Sequence, residues 1–282
     1  MIKLAQNRYG KSRVRLLKVT RHEAHHHVDE WTVEVLLQGD FESAHVEGDN
    51  SQILPTDTMK NTVYYMAHRS QAASMEGFAE ELIDFLLSRN PQVTAAEVTI
   101  HSALWKHMKV DGGLHPTAFI RGSDEQQTTH VQRIQPEGFQ VTSGVSNLVI
   151  MKTAQSGFED YIVDELTTLK PTSDRIFATA CTATWKYIHS APLHYNALRE
   201  CARETMLSTF ANHDSKSVQQ TLYAMGEAVL EAVPEIREIT LTMPNKHALL
   251  IDLERFGLKN NNQIFVPTDE PHGTIQATLV RM

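Results

Sequence analysis

The spacing of hydrophobic and polar residues divides the first half of the chain into strands and helices. Alternation of apolar and polar side chains is typical of half-buried strands, whereas apolar residues three and four apart are typical of helices. Two strands, two helices and two further strands are predicted, at residues 14–19, 31–37, 58–67, 75–87, 96–101 and 115–120. The polar residues between the first two strands predict a turn that joins them as a hairpin.

The second half repeats this order. Two strands, two helices and three strands are predicted, at residues 148–151, 175–187, 197–210, 218–233, 236–242, 247–253 and 274–280. Residues 61–67 also resemble residues 220–226, and each stretch is followed by a proline, Pro91 or Pro234, and a strand. We therefore predict an α+β protein of two similar halves, residues 1–138 and 139–282, with helices on one face of an antiparallel sheet.

The composition of the chain excludes several classes of function and location. The 282 residues include 26 Lys and Arg against 34 Asp and Glu, which gives a net charge of −8. This acidic balance argues against nucleic-acid binding, and no apolar stretch reaches the ~20 residues that span a bilayer. The first residues resemble no signal peptide, and the last three, Val280-Arg281-Met282, are no peroxisomal tripeptide. With only Cys181 and Cys201 present, a reduced, cytoplasmic protein is expected.

One local motif suggests a metal site. His22-Glu23-Ala24-His25-His26 matches the pattern of zinc peptidases, in which two histidines one helical turn apart bind the metal. Here the motif lies between two predicted strands and has no apolar helical face. A polar hairpin turn is the better interpretation, and no metal site is predicted.

Six further motifs occur in a characteristic order and spacing. They are Tyr9-Gly10-Lys11, the helix start at residues 56–62, Phe158 after the strand at 148–153, Arg175 at the end of residues 167–175, Ser217-Val218-Gln219, and Pro244-Asn245-Lys246-His247 between two predicted strands. Together they resemble the urate oxidase (uricase) family, and the resemblance runs from about Gln6 to about Arg281.

The resemblance implies a fold and an assembly. Members of this family are tandem T-fold (tunnelling-fold) units, each an antiparallel sheet with two helices on one face, so residues 1–138 and 139–282 are expected to form one unit each. The family also implies a homotetramer whose active sites lie at subunit interfaces. Urate and O2 are then the expected small-molecule partners, with no nucleic acid and no membrane.

The resemblance further implies which residues bind urate, a planar purine anion. Phe158 would stack on its ring, and Arg175 would offer two donors to a carbonyl oxygen and a ring nitrogen. Gln219 would meet a carbonyl and an N–H together, with the backbone N–H groups of Val218 and Asp57 as further donors. The net charge of −8 opposes an anion only weakly, because charges beyond roughly 8 Å are largely screened.

The resemblance assigns catalysis to three residues. Lys11 would act as the base, Thr56 would relay the proton and also contact the substrate, and His247 would complete the relay. Asn245 and Thr56 would flank the position of O2 and water. The family reaction converts urate to 5-hydroxyisourate and hydrogen peroxide without any cofactor, because urate itself supplies the electrons.

Two alternatives stay open at this point. A T-fold hydrolase or aldolase acting on a pterin or purine would share the fold, although such enzymes generally anchor the ring with a glutamate, and Gln219 argues against this. A non-catalytic binding protein is the other alternative, and the presence of Lys11, Thr56 and His247 together argues against it.

Overall fold

The computed structural model describes residues 2–188 and 193–282. Its elements are β1 (Tyr9–Arg21), β2 (His26–Gly39), α1 (Glu42–Val46), α2 (Thr56–Arg69), α3 (Met75–Arg89), β3 (Val93–Val110), β4 (Gly113–Ile134), β5 (Phe139–Lys152), β6 (Phe177–Tyr187), α4 (Tyr195–Asn212), α5 (Val218–Ala232), β7 (Ile236–Leu250), a 3-10 helix (Glu254–Phe256) and β8 (Phe265–Val280). The predicted α+β class is confirmed. Within the described ranges, no helix is both long and apolar enough to cross a membrane.

The chain forms two compact units. The first runs to Gly144 and takes in Tyr195 and Asn196 at the start of α4, while the second runs from Val145 and takes in the rest of that helix. In the first unit β1, β2, β3 and β4 pair in sequence order, and every pair is antiparallel. In the second unit β6 pairs with β7 and β7 with β8, again antiparallel.

The core of the first unit lies between its sheet and α3. Between Trp31 and Leu37, strand β2 buries every second residue, including Val33, Val35 and Leu37, because alternate side chains of a strand point to the same face. Trp31 on the same face lies against Phe78 of α3, with ring centroids 5.1 Å apart. The intervening polar residues of β2 therefore lie on the face of the sheet opposite α3.

The core of the second unit lies between its sheet and α5. Gly226 of α5 marks the closest approach, since a Cβ atom there would lie 2.9 Å from the Leu279 side chain and 3.2 Å from that of Leu241. Leu279 lies on β8 and Leu241 on β7, so this helix packs over both strands. An alanine at residue 226 would require the ends of the Leu279 and Leu241 side chains to shift.

The histidine-rich motif forms the predicted hairpin turn. Strand β1 ends at Arg21 and β2 begins at His26, and the His22 N–H donates to the His25 carbonyl at 3.1 Å. The motif therefore lacks the helical turn that brings two zinc-binding histidines together.

One prediction about the late strands is wrong. Residues 236–242 and 247–253 were expected to form two strands linked at Pro244–His247, but β7 runs without a break from Ile236 to Leu250. Pro244 removes only one backbone donor, and it still lies opposite Thr274 of β8. A register shift between Asn245 and His247 absorbs the irregularity, so both residues lie inside a strand.

Candidate active site

The first predicted catalytic residue, Lys11, lies where β1 departs from regular pairing. The register against β2 shifts between Lys11 and Val14, and Arg13 has a φ of 59°. Gly10 comes so close to β2 that a Cβ atom would lie 1.8 Å from the Val35 carbonyl oxygen. Only glycine permits this approach, which explains the motif Tyr9-Gly10-Lys11 and fixes the half-buried Lys11 on the strand.

Tyr9 holds the beginning of α2 beside this part of β1. Its hydroxyl accepts from the Leu54 N–H at 2.8 Å and donates to the Leu54 carbonyl at 3.1 Å. Burial raises the pKa of the Tyr9 hydroxyl, so the proton that makes the second bond is retained. Because Leu54 comes two residues before Thr56, this pair of bonds positions the first turn of α2.

The first turn of α2 carries backbone donors that the helix does not use. Pro55 precedes the helix, and its side chain has no hydrogen-bond acceptor. The first hydrogen bond of the helix is donated by the Met59 N–H to the Pro55 carbonyl, at 3.1 Å. The N–H groups of Thr56 and Asp57 come earlier and have no carbonyl within the helix to bind. A helix N-terminus of this kind favours an anionic ligand.

The Asp57 carboxylate is occupied within its own helix. It binds the Lys60 ammonium and accepts from the Asn61 amide at 3.2 Å. The pKa of Asp57 is lowered by the hydrogen bond from Lys60 and by the charge of Lys60. The charge of Lys11 lowers it further, but more weakly. The backbone N–H is therefore the group that Asp57 leaves for a ligand, and Lys11 lies close enough for its charge to act on this turn.

In the second unit, a short segment after β5 joins three parts of the site through its backbone. Gly157 N–H donates to the Ser215 carbonyl at 2.8 Å, which ties the segment to the chain just before α5. Phe158 N–H donates to the Thr172 carbonyl at 2.7 Å, and Arg175 N–H donates to the Ser156 carbonyl at 2.7 Å. These bonds bring Phe158, Arg175 and the start of α5 together.

Arg175 is the most informative side chain in this group. Its guanidinium carbon lies 5.5 Å from the centre of the Phe158 ring, and its Nε atom is buried without a hydrogen-bond partner. Burial lowers the pKa of Arg175, although a guanidinium stays charged in proteins. Within the described residues no carboxylate pairs with it. A half-buried cation with an unused donor beside an aromatic ring favours a planar anion.

The start of α5 adds two donors and an amide. Ser217 caps the helix by accepting from the Gln220 N–H at 3.1 Å, which leaves the Val218 and Gln219 N–H groups without an intrahelical partner. The Val218 side chain is buried and anchors this turn. The Gln219 side chain is exposed and makes no hydrogen bond to any described residue, so its amide is available to a ligand.

Asn245 and His247 lie on the strand next to this group. Ala178 near the start of β6 is opposite Lys246 of β7, so the register places the residues on either side of Lys246 close to the end of the Arg175 segment. Both side chains are half-buried, and neither makes a hydrogen bond in the part of the chain that the structure describes. The Thr268 hydroxyl donates to the His247 carbonyl at 3.3 Å and fixes its backbone.

The structure thus gathers the predicted residues into two groups. Lys11, Thr56 and Asp57 lie together in the first unit, and the other six belong to the second. Among the described side chains, no hydrogen bond joins Lys11 to Thr56, so the relay between them stays a prediction.

Two neighbours of the second group were not predicted. The Tyr161 ring stacks on Phe158 at 4.9 Å with an interplanar angle of 13°, so it covers one face of that ring. A planar ligand would therefore use the opposite face. Tyr161 follows Phe158 by three residues in an irregular segment, where that spacing does not indicate a contact as it would in a helix.

Lys152, the last residue of β5, was also missed. Its ammonium donates to the His213 carbonyl in the connection between α4 and α5, and it lies 5.7 Å from the centre of the Phe210 ring. Burial lowers the pKa of Lys152. The His213 ring in turn lies 3.1 Å from the Thr221 hydroxyl of α5. Lys152 therefore fixes the connection that positions Val218 and Gln219.

Comparisons with known proteins identify the family of the chain. A family model described as uricase matches residues 7–132 and 141–276. The uricase of Arthrobacter globiformis is 39% identical over 278 residues, which cover 99% of this chain and 90% of that protein. The uricase of Dictyostelium discoideum is 36% identical over 283 residues, with 100% and 98% covered.

Solved structures give the same result. The crystal structure of the Arthrobacter globiformis uricase superposes with a TM-score of 0.93 at 38% sequence identity, covering 100% of this chain and 96% of that one. A urate oxidase mutant from Bacillus sp. TB-90, at 21% identity and a TM-score of 0.86, shares the fold over 98% of this chain and 99% of that one. The chain belongs to the uricase family.

Proposed function

We propose that this chain oxidises urate with O2, and that Arg175 and Phe158 hold the urate ring. The observation that carries the proposal is the half-buried Arg175 guanidinium, which has an unpartnered Nε and lies beside Phe158. The free amide of Gln219 and the free N–H of Val218 lie at the adjacent helix start, where a carbonyl of the purine can accept from them. These donors, together with the aromatic ring of Phe158, suit an anionic purine trione.

The proposed chemistry uses groups of this chain and the substrate itself. Lys11, Thr56 and His247 remove a proton from urate, and the resulting electron-rich ring reduces O2, with Asn245 and Thr56 beside the oxygen. Water then adds to the oxidised ring as hydrogen peroxide leaves. The reaction balances as urate plus O2 plus water giving 5-hydroxyisourate plus hydrogen peroxide. No step calls for a metal, flavin or other cofactor.

The function is tested by following urate in air and without oxygen. We expect the ultraviolet absorbance of urate to fall in air, with about one hydrogen peroxide released per urate, as the balanced reaction requires. Urate should persist under argon, because no other electron acceptor is offered. Urate loss without peroxide, or loss under argon, would refute the proposed oxidase.

We also propose that the chain forms a homotetramer in which each active site uses two subunits. Lys11 and Thr56 come from one half of the chain and the arginine group from the other, so a second copy can supply the missing half. The family resemblance supports this assembly. The cytoplasmic location expected from the sequence stays a prediction.

Mixing two inactive variants tests the shared site. Lys11→Met and Arg175→Ala subunits, unfolded together and refolded, should recover activity, because half of the randomly formed pairs are unlike and each unlike pair holds one intact site. About a quarter of all sites should then be active. The control is each variant refolded alone. If correctly sized assemblies of the mixture stay inactive, both groups come from the same chain.

Lys152→Met should weaken urate binding more than turnover. The change keeps the apolar stem over Phe210 but leaves the His213 carbonyl without its charged donor, a bond worth roughly 1.5–3 kcal/mol. The connection to α5 then loosens, and we expect KM to rise about tenfold while kcat changes by less than about threefold. Steady-state kinetics measure the two constants separately.

The matched control is Lys170→Met, which removes an exposed lysine of the same unit. It should leave both constants unchanged. Lys152→Arg should restore most of the affinity, because a guanidinium can also donate to the carbonyl. If Lys152→Met and Lys170→Met behave alike, Lys152 does not position the site.

A further inference from the structure

Three arginines of the first unit line a cavity that the proposed reaction does not use. Arg13 and Arg15 of β1 and Arg121 of β4 border a space of about 190 Å³. The cavity lies on the face of the sheet opposite α3, because Thr32, which also lines it, adjoins Trp31 of the buried face. In a chain with a net charge of −8, this is a local concentration of positive charge.

The antiparallel register gathers the lining residues from four neighbouring strands. Residues directly opposite each other on adjacent strands have side chains close enough to interact. Two such rows cross the sheet at the cavity, one of Arg15, Thr32 and His101 and the other of Glu30, Ala103 and Gln126. The small side chain of Ala103 leaves room between its larger neighbours. Strand pairing therefore builds this cavity.

Glu30 is the one carboxylate among the described lining residues, and both of its oxygens already have donors. Oε1 accepts from the Arg15 guanidinium at 2.8 Å, and Oε2 accepts from the Trp105 indole N–H at 2.9 Å. The bond from Trp105, the bond from Arg15 and the charge of Arg121 lower the pKa of Glu30. Glu30 therefore stays ionised at neutral pH, but its charge is paired with Arg15.

Arg13 and Arg121 have no such partner. Neither makes an ion pair or a hydrogen bond with any residue that the structure describes. A guanidinium keeps its proton in proteins, so three arginines against one carboxylate leave the lining with two positive charges at neutral pH. The Thr32 hydroxyl and the Gln126 amide also line the cavity, and both are unpaired within the described ranges.

The acidic residues near this face do not cancel the excess. Glu34 lies two residues beyond Thr32 on the same face of β2, outside the lining, and its carboxylate accepts from the Ser12 hydroxyl. With Glu34 counted, the arginines still outnumber the carboxylates. Asp124 of β4 is not a lining residue either, and it has a partner of its own, which is none of the three arginines. The face therefore keeps an excess of positive charge.

A bulge in β1 places Arg13 at the cavity. The register against β2 shifts between Lys11 and Val14, and Arg13 has a φ of 59°. Residues other than glycine rarely adopt this left-handed conformation, and a bulge redirects the side chain of its extra residue. The strand thus departs from regular geometry at the residue that brings a third arginine to the lining.

We infer that this cavity binds a small oxyanion, either a free inorganic ion or the phosphate group of a small metabolite. Arg13 and Arg121 supply charged pairs of donors that match the oxygens of sulfate or phosphate, and Thr32 and Gln126 supply neutral donors. The volume of about 190 Å³ is below the roughly 300–1,000 Å³ of pockets for drug-sized ligands, which favours an ion or a single phosphate group. The lining residues are not those of the proposed active site, so binding does not depend on the proposed reaction.

Titration calorimetry with inorganic sulfate at pH 8 tests the site, because histidine is largely neutral there and the arginines keep their charge. Sodium chloride holds the ionic strength constant. We expect saturable binding that Arg175→Ala leaves unchanged, since Arg175 belongs to the other unit. Ribose 5-phosphate, titrated alongside, identifies a phosphorylated metabolite if it binds more tightly than sulfate, and a free ion if it does not. Binding of neither anion, or binding that is lost in Arg175→Ala, overturns the site.

Three variants locate the binding. Arg121→Met and Arg13→Gln should each weaken sulfate binding more than about tenfold, because each removes a charged pair of donors. Glu30→Gln should tighten binding about threefold, because it removes the one opposing charge of the lining, while the amide oxygen can still accept from Trp105. A variant that merely folds poorly would not show this gain.

The matched control is Arg237→Met, which removes an exposed arginine of the other unit. Its sulfate affinity should equal that of the parent protein. If Arg237→Met weakens binding as much as Arg121→Met, or if Glu30→Gln fails to tighten it, the attraction is nonspecific and the site is overturned.

Discussion

Arg175→Ala should raise the dissociation constant of a non-oxidisable purine-trione analogue by at least about a hundredfold. Arg175 is half-buried beside Phe158, with an unpartnered Nε and no described carboxylate to balance its charge. Its charge-assisted bonds are therefore free for the ligand, and such bonds contribute roughly 1.5–3 kcal/mol each. The free protein should lose little stability, because the guanidinium gives up no protein ion pair on truncation. Titration calorimetry and thermal unfolding measure the two effects.

Two further variants separate charge from geometry. Arg175→Lys keeps the charge but not the planar pair of donors, so its affinity should fall between those of the parent and Arg175→Ala. Arg255→Ala removes an exposed arginine of the same unit and should bind the analogue as the parent does. Parent-like affinity in Arg175→Ala would exclude Arg175 from the substrate site.

Lys11→Met should lower kcat by about a hundredfold to ten-thousandfold, the usual contribution of a positioned acid or base. The analogue should still bind within about twofold, because the proposed purine donors lie elsewhere. Methionine keeps an unbranched side chain that is one atom shorter and uncharged, and Gly10 still fixes the strand against the Val35 carbonyl. The plot of kcat against pH should also lose the limb that arises from ionisation of the base.

The control for Lys11→Met is Lys109→Met, an exposed lysine on β3 of the same unit. Its kcat should equal that of the parent protein. A Lys11→Met variant with parent kcat, or one that loses turnover only because the analogue no longer binds, would contradict the proposed role as base.

The order of strands and helices was predictable because the amphipathic pattern of each element indicates which of its faces is buried. Residues 31–35 alternate between apolar and polar side chains in the sequence, and in the structure Trp31, Val33 and Val35 belong to the buried face of β2. The lengths were less predictable. Strand β4 runs from Gly113 to Ile134 through the polar residues 121–128, which carry no apolar alternation. Pairing with β3 keeps this polar stretch in a strand, and the local sequence gives no sign of that pairing.

Within the site, too, local motifs were predictable from the sequence and long-range contacts were not. Motif spacing pointed to Arg175 and Gln219, and the structure shows that both offer unused donors. Motif spacing could not point to Lys152, because its partner His213 lies 61 residues away in the sequence. It also misplaced Asn245 and His247 in a linker, because Pro244 there suggested the end of a strand, whereas pairing with β8 carries β7 past it.

The central claim is oxidation of urate by O2 without a cofactor, and one measurement tests it most directly. The protein is stripped of metals by prolonged dialysis against EDTA, its metal content is checked by mass spectrometry, and initial rates of urate loss and peroxide release are measured in air. We expect rates equal to those of untreated protein, with about one peroxide per urate. Loss of activity on stripping, with recovery on adding back zinc, copper or iron, would contradict the account.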